Sequence, residues 1–366
     1  MRSATVRRVL ALGALVLAGS SNADPDTVSA DFKRLQDVGS CAQCNLAGAD
    51  LSGMRLMSAD LSGANLRGAK LRKTILFDAK LSGADLRGAT FEKASLGRID
   101  LSAADLRGVD LSGARLAHAK LSRARLDATN LSDSMLEHAD LRGADLTGAD
   151  MSRAAMRYAK LDGTVFNRVT LIGADLRQLD FRPVAGLQAC DLSRARLQGA
   201  HFDGRDLHGN RFDHADMQNT GLSGSDLTDV SLAKANLRKA DLRNAQLAGA
   251  MLGGATLTGV KMEGAQLRGA NLEDAIVAGN LVGTDFSAAR LVRADLSGAN
   301  LKDALFRDAD LQQANFSSCN LYAADFSGAR MVRTSFRGAN LRNAVLTGAD
   351  MSGAVFTNAT GAPLQK

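Results

Sequence analysis

The sequence has no tryptophan, two tyrosines, three prolines, four cysteines and five histidines in 366 residues. It contains no nucleophile elbow, P-loop or H-E-x-x-H motif, and no acid pair in an identifiable pocket. Ser, Asp and Arg are abundant only as recurring outward positions, so catalysis is not expected. Charge is nearly balanced. The formal +6 falls to +3 once residues 1–23 are set aside. Nucleic-acid binding or strong membrane attraction normally needs clustered basic charge, and neither is expected. The Cys41-x-x-Cys44 pair has no second Cys/His pair at zinc spacing and no βαβ setting for a thioredoxin-like motif.

What is present is repetition. Leu141-Arg142-Gly143-Ala144-Asp145-Leu146-Thr147-Gly148-Ala149-Asp150-Met151 says A-D-L-x-G twice. Stepping by five from Leu46 to Phe181 gives 28 consecutive Leu, Met or Phe residues. On an α-helix a five-residue step turns each Leu by about 140° from the last and leaves no stripe. On a strand an odd step sends successive leucines to opposite faces. A chain that turns a corner once per repeat points every Leu to a common axis. The Ala two places earlier also points inward, and the intervening Asp, Thr and Gly lie outside or at the corner.

The N-terminus is different. Arg2, Arg7 and Arg8 precede the apolar run Val9 to Ala18, and Ser21-Asn22-Ala23 supplies small residues at cleavage spacing. This predicts a secretory signal over 1–23 cut after Ala23. The run is too short to remain as a membrane span. The mature chain is therefore expected in the periplasm or outside the cell, with no span. Residues 24–40 lack the repeat. Val28, Phe32 and Leu35 have helical spacing, with Asp26 or Thr27 able to cap, so a short helix is expected over the open end of the solenoid. In an exported chain Cys41 and Cys44 point to a structural disulfide. Free thiols and a redox pair are the alternatives.

The solenoid is expected over 41–358 and a loose tail over 359–366. Its phase slips twice. One extra residue lies at Arg182-Pro183-Val184-Ala185-Gly186, and one residue is missing near Ile276, within 273–280. Size alone would suggest more than one domain, but the dominant phase reads as a single elongated solenoid, and neither slip resembles a linker.

These A-D/N-L-x-x phrases resemble the pentapeptide-repeat family over roughly residues 44–358. The resemblance implies an all-β right-handed quadrilateral β-helix, with four pentapeptides per twenty-residue coil. The phenylalanines test that coil length. Phe286, Phe306 and Phe326 are twenty apart, as are Phe316, Phe336 and Phe356 half a coil away. Each trio should stack on one face, adding about 0.5–1.5 kcal/mol per pair. Some 62 repeats would make about 15 coils, on the order of 75 Å at the usual strand spacing.

In that register Cys190 and Cys319 occupy interior Ala places and should be buried. His201, His208 and His214 fall in successive repeats and point from different faces. His118 and His138 share an outward column reading Asp78, Arg98, His118, His138, Tyr158. They are a weak metal candidate, since a site needs further ligands. Arg67, Arg87 and Arg107 run beside Asn65, Asp85 and Asp105, a salt-bridge lattice with anionic-polymer binding as the alternative. An interior filled by Leu, Phe and Ala has no lumen.

No cofactor is expected. The expected function is a non-enzymatic, exported scaffold or spacer for an unidentified protein partner. End-to-end homodimers through the C-terminal coil are a further expectation, because that end leaves strand edges free. Two alternatives stand beside it. One is a metal-binding surface protein. The other comes from the family, some of whose members mimic DNA and regulate type II topoisomerases through an acidic surface.

Overall fold

The computed structural model describes residues 25–362, so the expected signal over 1–23, its cleavage after Ala23 and the end of the tail lie outside the described residues. Each pentapeptide is one straight step and one turn. In the first full repeat the Ala49 N–H donates to the Leu46 carbonyl at 3.1 Å, and Gly48, third in the turn, has φ +69°. Glycine adopts that conformation without steric cost, which explains why it recurs at this place. The Asp before the central Leu braces the turn. Asp50 Oδ1 accepts the Ser52 N–H at 3.0 Å, an Asx contact available only to a short polar side chain.

Turns this frequent leave room for little more than single paired residues between them. Four segments reach strand length: β1 (Val165–Asn167), β2 (Gly186–Gln188), β3 (Thr256–Lys261) and β4 (Ile276–Asn280). The rest of the ladder is made of isolated parallel bridges. The expected all-β character is thus carried by pairing between coils rather than by long strands.

The chain forms two compact units, one running to Thr170 and including Pro183–Gly186, the other comprising Leu171–Arg182 and everything from Leu187. In the first, partners are twenty residues apart from Asn45↔Asn65 to Asp150↔Thr170. In the second, the step is 21 at Asp175↔Arg196 and Asp180↔His201, where the extra residue is taken up. It becomes 20 from Asp191↔Arg211, 19 from Gln266↔Asp285 to Ile276↔Asp295, and 20 again from Asn280↔Asn300. The last bridge, Asn340↔Thr360, carries the ladder two residues past the expected end at 358.

The shortened corner lies just beyond Ile276, which still pairs regularly with Thr256. The register slips between Thr258↔Ala278 and Val260↔Gly279. Gly279 has φ +152°, and a Cβ there would overlap the Val260 carbonyl oxygen and sit 2.9 Å from its nitrogen. Only glycine fits this approach.

In most repeats the central Leu and the preceding Ala are almost completely buried. Where Thr replaces the Ala, its hydroxyl is satisfied internally: Thr74 and Thr334 donate to the carbonyls of Leu51 and Leu311 at 2.8 and 2.7 Å. The phenylalanines stack in two columns. Phe286–Phe306 and Phe306–Phe326 have centroids 5.1 and 4.9 Å apart, and Phe316–Phe336 and Phe336–Phe356 are at 5.3 and 5.1 Å. The columns also meet edge to face, Phe306 on Phe316 at 5.3 Å and 89°.

Before the first coil stands α1 (Pro25–Val38). Proline suits a first helical position, where its missing N–H would be unpaired anyway. Val28, Phe32 and Leu35 form the buried stripe. Gly39, at φ +74°, ends the helix by donating to the Leu35 carbonyl at 2.8 Å.

Candidate functional site

Each place singled out by sequence has a defined setting. Cys41 and Cys44 are joined in a disulfide with Cα atoms 5.5 Å apart, and both are buried. Helix α1 meets them. The Asn45 N–H donates to Asp31 Oδ2 at 2.7 Å, the Asp31 carbonyl oxygen lies 3.4 Å from Cys41 Sγ, and Arg34 Nη1 lies 4.0 Å from Cys44 Sγ. Asp31 and Arg34 escaped the sequence reading, because only a folded helix brings them onto the C-x-x-C. Among the described residues, Asp31, Cys41 and Cys44 are the one cluster of at least three potential metal ligands. The bond between the sulfurs occupies the pair.

The rings of His118 and His138 stack at 4.8 Å and 4°, and Tyr158 continues the stack at 4.8 Å. Below them Arg98 Nε pairs with Asp78 Oδ1 at 2.8 Å. No third ligand joins the two imidazoles in a metal-sized cluster among the described residues. His208 is engaged elsewhere, its Nδ1 lying 3.0 Å from the Thr228 carbonyl oxygen.

The Arg–Asp columns neutralise themselves chiefly within each repeat. Arg87 Nε donates to Asp85 at 2.9 Å and Arg107 Nε to Asp105 at 2.8 Å, both as forks. Coils are linked more loosely, Arg87 to Asp105 at 3.4 Å and Arg125 to Asp105 at 3.5 Å. The arginine hydrogen bonds hold both carboxyls below the ordinary aspartate value. Arg67 stands beside Asn65 and forms no such fork.

Cys190 and Cys319 are buried as expected from their interior places. Burial pushes the Cys319 thiol up to about 12. It is therefore a poor nucleophile.

Nothing in the repeat pattern signals a cleft of about 740 Å³ in the first unit, between 90–95 and 110–115. There the ladder is stretched. Leu71, Lys73 and Leu76 donate to the next coil at 2.8, 2.8 and 2.9 Å. One coil later the N–H groups of Phe91, Lys93 and Leu96 make no such bond, nor do those of Asp110 and Arg115 toward the coil before them. Thr90↔Asp110 and Ser95↔Arg115 remain bridged, so the seam is parted rather than broken.

Profiles of known families match almost the whole repeat region. "Pentapeptide repeats (8 copies)" covers 40–78, 76–108, 110–148, 149–182, 280–317 and 319–358, and "Pentapeptide repeat region" covers 195–272. The chain belongs to the pentapeptide repeat family. Members of this family fold as right-handed quadrilateral β-helices. No curated protein matches the chain in sequence.

Among solved structures, a trypsin-treated variant of QnrB1, a plasmid-mediated fluoroquinolone resistance protein, is 20% identical. The match covers 56% of this chain and 87% of that one, with a TM-score of 0.35. HetL, involved in heterocyst differentiation regulation in the cyanobacterium Nostoc, is 27% identical over 72% of this chain and 90% of its own, at a TM-score of 0.17. A pentapeptide repeat protein of the Arabidopsis thaliana thylakoid lumen is 26% identical over 40% and 75%, at 0.13. Superpositions this poor carry no argument about this chain's function.

Proposed function

We propose that this pentapeptide repeat chain is a non-enzymatic, exported scaffold that presents ladders of side chains to a protein partner. The observation that carries the reading is the division between its two surfaces. Inward positions are filled by buried Leu, Phe and Ala, and the polar groups recur at fixed outward places. The cleft between 90–95 and 110–115 and the one lined by Asp78, Arg98 and His118 lie on the outside, and among the described residues lining them no nucleophile, base and oxyanion site come together. Helix α1 is read as the cap of the first coil in a solenoid of about 15 coils, shielding an end that would otherwise expose strand edges.

Export and cleavage after Ala23 are tested by fractionation with intact mass. A chain beginning at Asp24 in the exported fraction is expected, and an uncleaved cytoplasmic chain would overturn export. Photo-cross-linkers at Met57 and at Lys80, which are exposed outward positions, test the scaffold. A discrete protein adduct from one of them is expected, and no protein adduct from any outward column would contradict it.

DNA mimicry, the reading drawn from other family members, meets a specific obstacle. It needs a continuous acidic face, yet one column of the first unit alternates Asp60, Lys80, Asp100, Lys120, Asp140 and Lys160 along paired bridges. Another carries the arginine-forked Asp85 and Asp105. In a supercoiling assay with a type II topoisomerase no effect is expected. A metal role would require zinc binding lost in His138→Ala.

The last coil supports end-to-end association. Leu346, Met351 and Phe356 are partly exposed where their earlier counterparts are fully buried. Among the described residues no carbonyl accepts their N–H groups. Light-scattering mass of the full chain against a truncation before Met351 tests it, with a dimer expected only for the former.

A further inference from the structure

The sides of the first unit differ in how their arginines are used. On the Asp85–Arg87 side the guanidiniums are forked to carboxylates two residues away. The side built on Arg55, Ile75, Ser95, Arg115, Met135 and Ala155, joined bridge to bridge, has a different composition. Among the described residues Arg55 and Arg115 form no ion pair within 4.0 Å, and Arg157 turns to the Tyr158 hydroxyl at 3.0 Å rather than to a carboxylate. The repeat explains why. Where Asp precedes the central Leu, an Arg two residues later is neutralised locally. Here that place holds Arg, Ile, Ser, Met or Ala instead.

Large apolar groups accompany these cations. Met57, Met135 and Phe77 are 59%, 47% and 37% exposed. The edge of the Phe77 ring packs against Gly97, where a Cβ would come 3.0 and 3.1 Å from Cδ2 and Cε2. Arg98 covers the ring from 5.8 Å. Isolated apolar residues on a surface need no explanation, but a group of them with uncompensated cations marks an interaction site.

The parted seam opens at the corner of this side, since Ser95 and Arg115 belong to both. It adds unbonded main-chain N–H groups, those of Lys93 and Arg115 among them. Of the charged side chains that line it, Lys93 lies 3.8 Å from Glu92, which also pairs with Arg72, and Arg115 stands near Asp110 without an ion pair within 4.0 Å. Backbone N–H groups next to positive charge receive carboxylates. The apolar groups, spaced coil by coil, suit an extended peptide that lies across the coils. They do not suit a polyphosphate backbone, which calls for denser basic charge.

We propose that this side of the first unit, with the seam at its corner, docks an extended acidic segment of a partner protein. The segment's apolar side chains rest on Met57, Phe77 and Met135, and its carboxylates meet Arg55, Arg115 and the seam. Met57 to Met135 spans four coils, about 19 Å at a strand spacing of about 4.8 Å. About six extended residues cover that distance at roughly 3.3 Å each. The assignment rests on the scaffold reading and adds the side and the chemistry of the partner.

The test is fluorescence anisotropy of a labelled octapeptide of alternating Glu and Leu, titrated with the full chain. Its Lys/Leu counterpart, a single-stranded DNA oligonucleotide and phosphatidylglycerol vesicles serve as competing probes. The Glu/Leu peptide should bind. Arg115→Glu and Phe77→Ala should each weaken it about tenfold or more, as for central interface residues, with the far-ultraviolet circular dichroism unchanged. Arg67→Glu, on the Asp–Arg side, should leave binding unaltered. Equal loss in Arg67→Glu and Arg115→Glu would overturn the assigned side while leaving a scaffold in place. No binding of the Glu/Leu peptide, or preferred binding of the oligonucleotide or vesicles, would overturn the assigned partner chemistry.

Discussion

The parted seam at 91–96 and 110–115 and the phenylalanine-columned coils at 286–356 are made from the same five-residue phrase. One is open and the other is shut. In the columned coils Phe286, Phe306 and Phe316 donate to the next coil at 2.7 Å, and each ring has ring neighbours to stack on or meet edge-on. Phe91 lies among leucines, with Leu71 and Leu111 in its column. A ring between leucines in its column does not by itself open the ladder, since the N–H of Phe212, which has Leu192 and Leu232 in its column and meets Phe202 edge-on at 6.1 Å, still donates at 2.7 Å. The comparison teaches that the repeat sets the path of the chain, while closure is decided locally. The seam is such a local departure, and it lies at the corner of the proposed docking side.

Breaking the shut side should have the largest effect. Phe306→Ala removes a ring that touches three others and should cost about 3–5 kcal/mol by cavity formation, read as a lowered denaturant midpoint. Gly279→Ala comes next. It forces a Cβ against the Val260 backbone and strains a φ of +152°, so about 2–4 kcal/mol is expected from strain and overpacking. Phe91→Ala should cost roughly half as much as Phe306→Ala, because part of the surrounding contact is already lost at the seam. Equal losses at Phe91 and Phe306 would erase the distinction.

The smallest effect belongs to the surface ion pairs. Asp85→Asn should cost less than about 1 kcal/mol at neutral pH. The Asp85 carboxyl is held low first by its hydrogen bond from Arg87. Its contribution is therefore complete above the ordinary aspartate value of about 3.9 and fades as pH falls through the lower folded value. The difference between wild type and Asp85→Asn should vanish in acid, and a difference that grew on acidification would reverse the sign of the account.

Much of this was legible in the sequence, because the side chains that define the fold recur at countable intervals. The twenty-residue spacing of Phe286, Phe306 and Phe326 and the inward places of Cys190 and Cys319 need only the repeat. The His118–His138–Tyr158 stack follows in the same way. Other features depend on backbone geometry that spacing does not encode. The missing residue near Ile276 is absorbed at 278–280, since Ile276 and Val277 keep their phase and only Gly279 tolerates the shortcut. The hold of Asp31 on Asn45 needs the helix docked. The seam was invisible, since Thr90 to Ser95 and Asp110 to Arg115 keep the repeat in their letters and part only in their hydrogen bonds.

The most direct test of the view that the junction between 91–96 and 110–115 is open while its neighbours in the first unit are paired is residue-resolved amide hydrogen exchange on the full chain. Slow exchange is predicted at Leu71, Lys73, Leu76, Leu111, Gly113 and Leu116, whose N–H groups are bonded to the following coil. Fast exchange is predicted at Phe91, Lys93, Leu96, Asp110 and Arg115. Uniform protection across all of them would contradict the account and remove the seam from the proposed docking side.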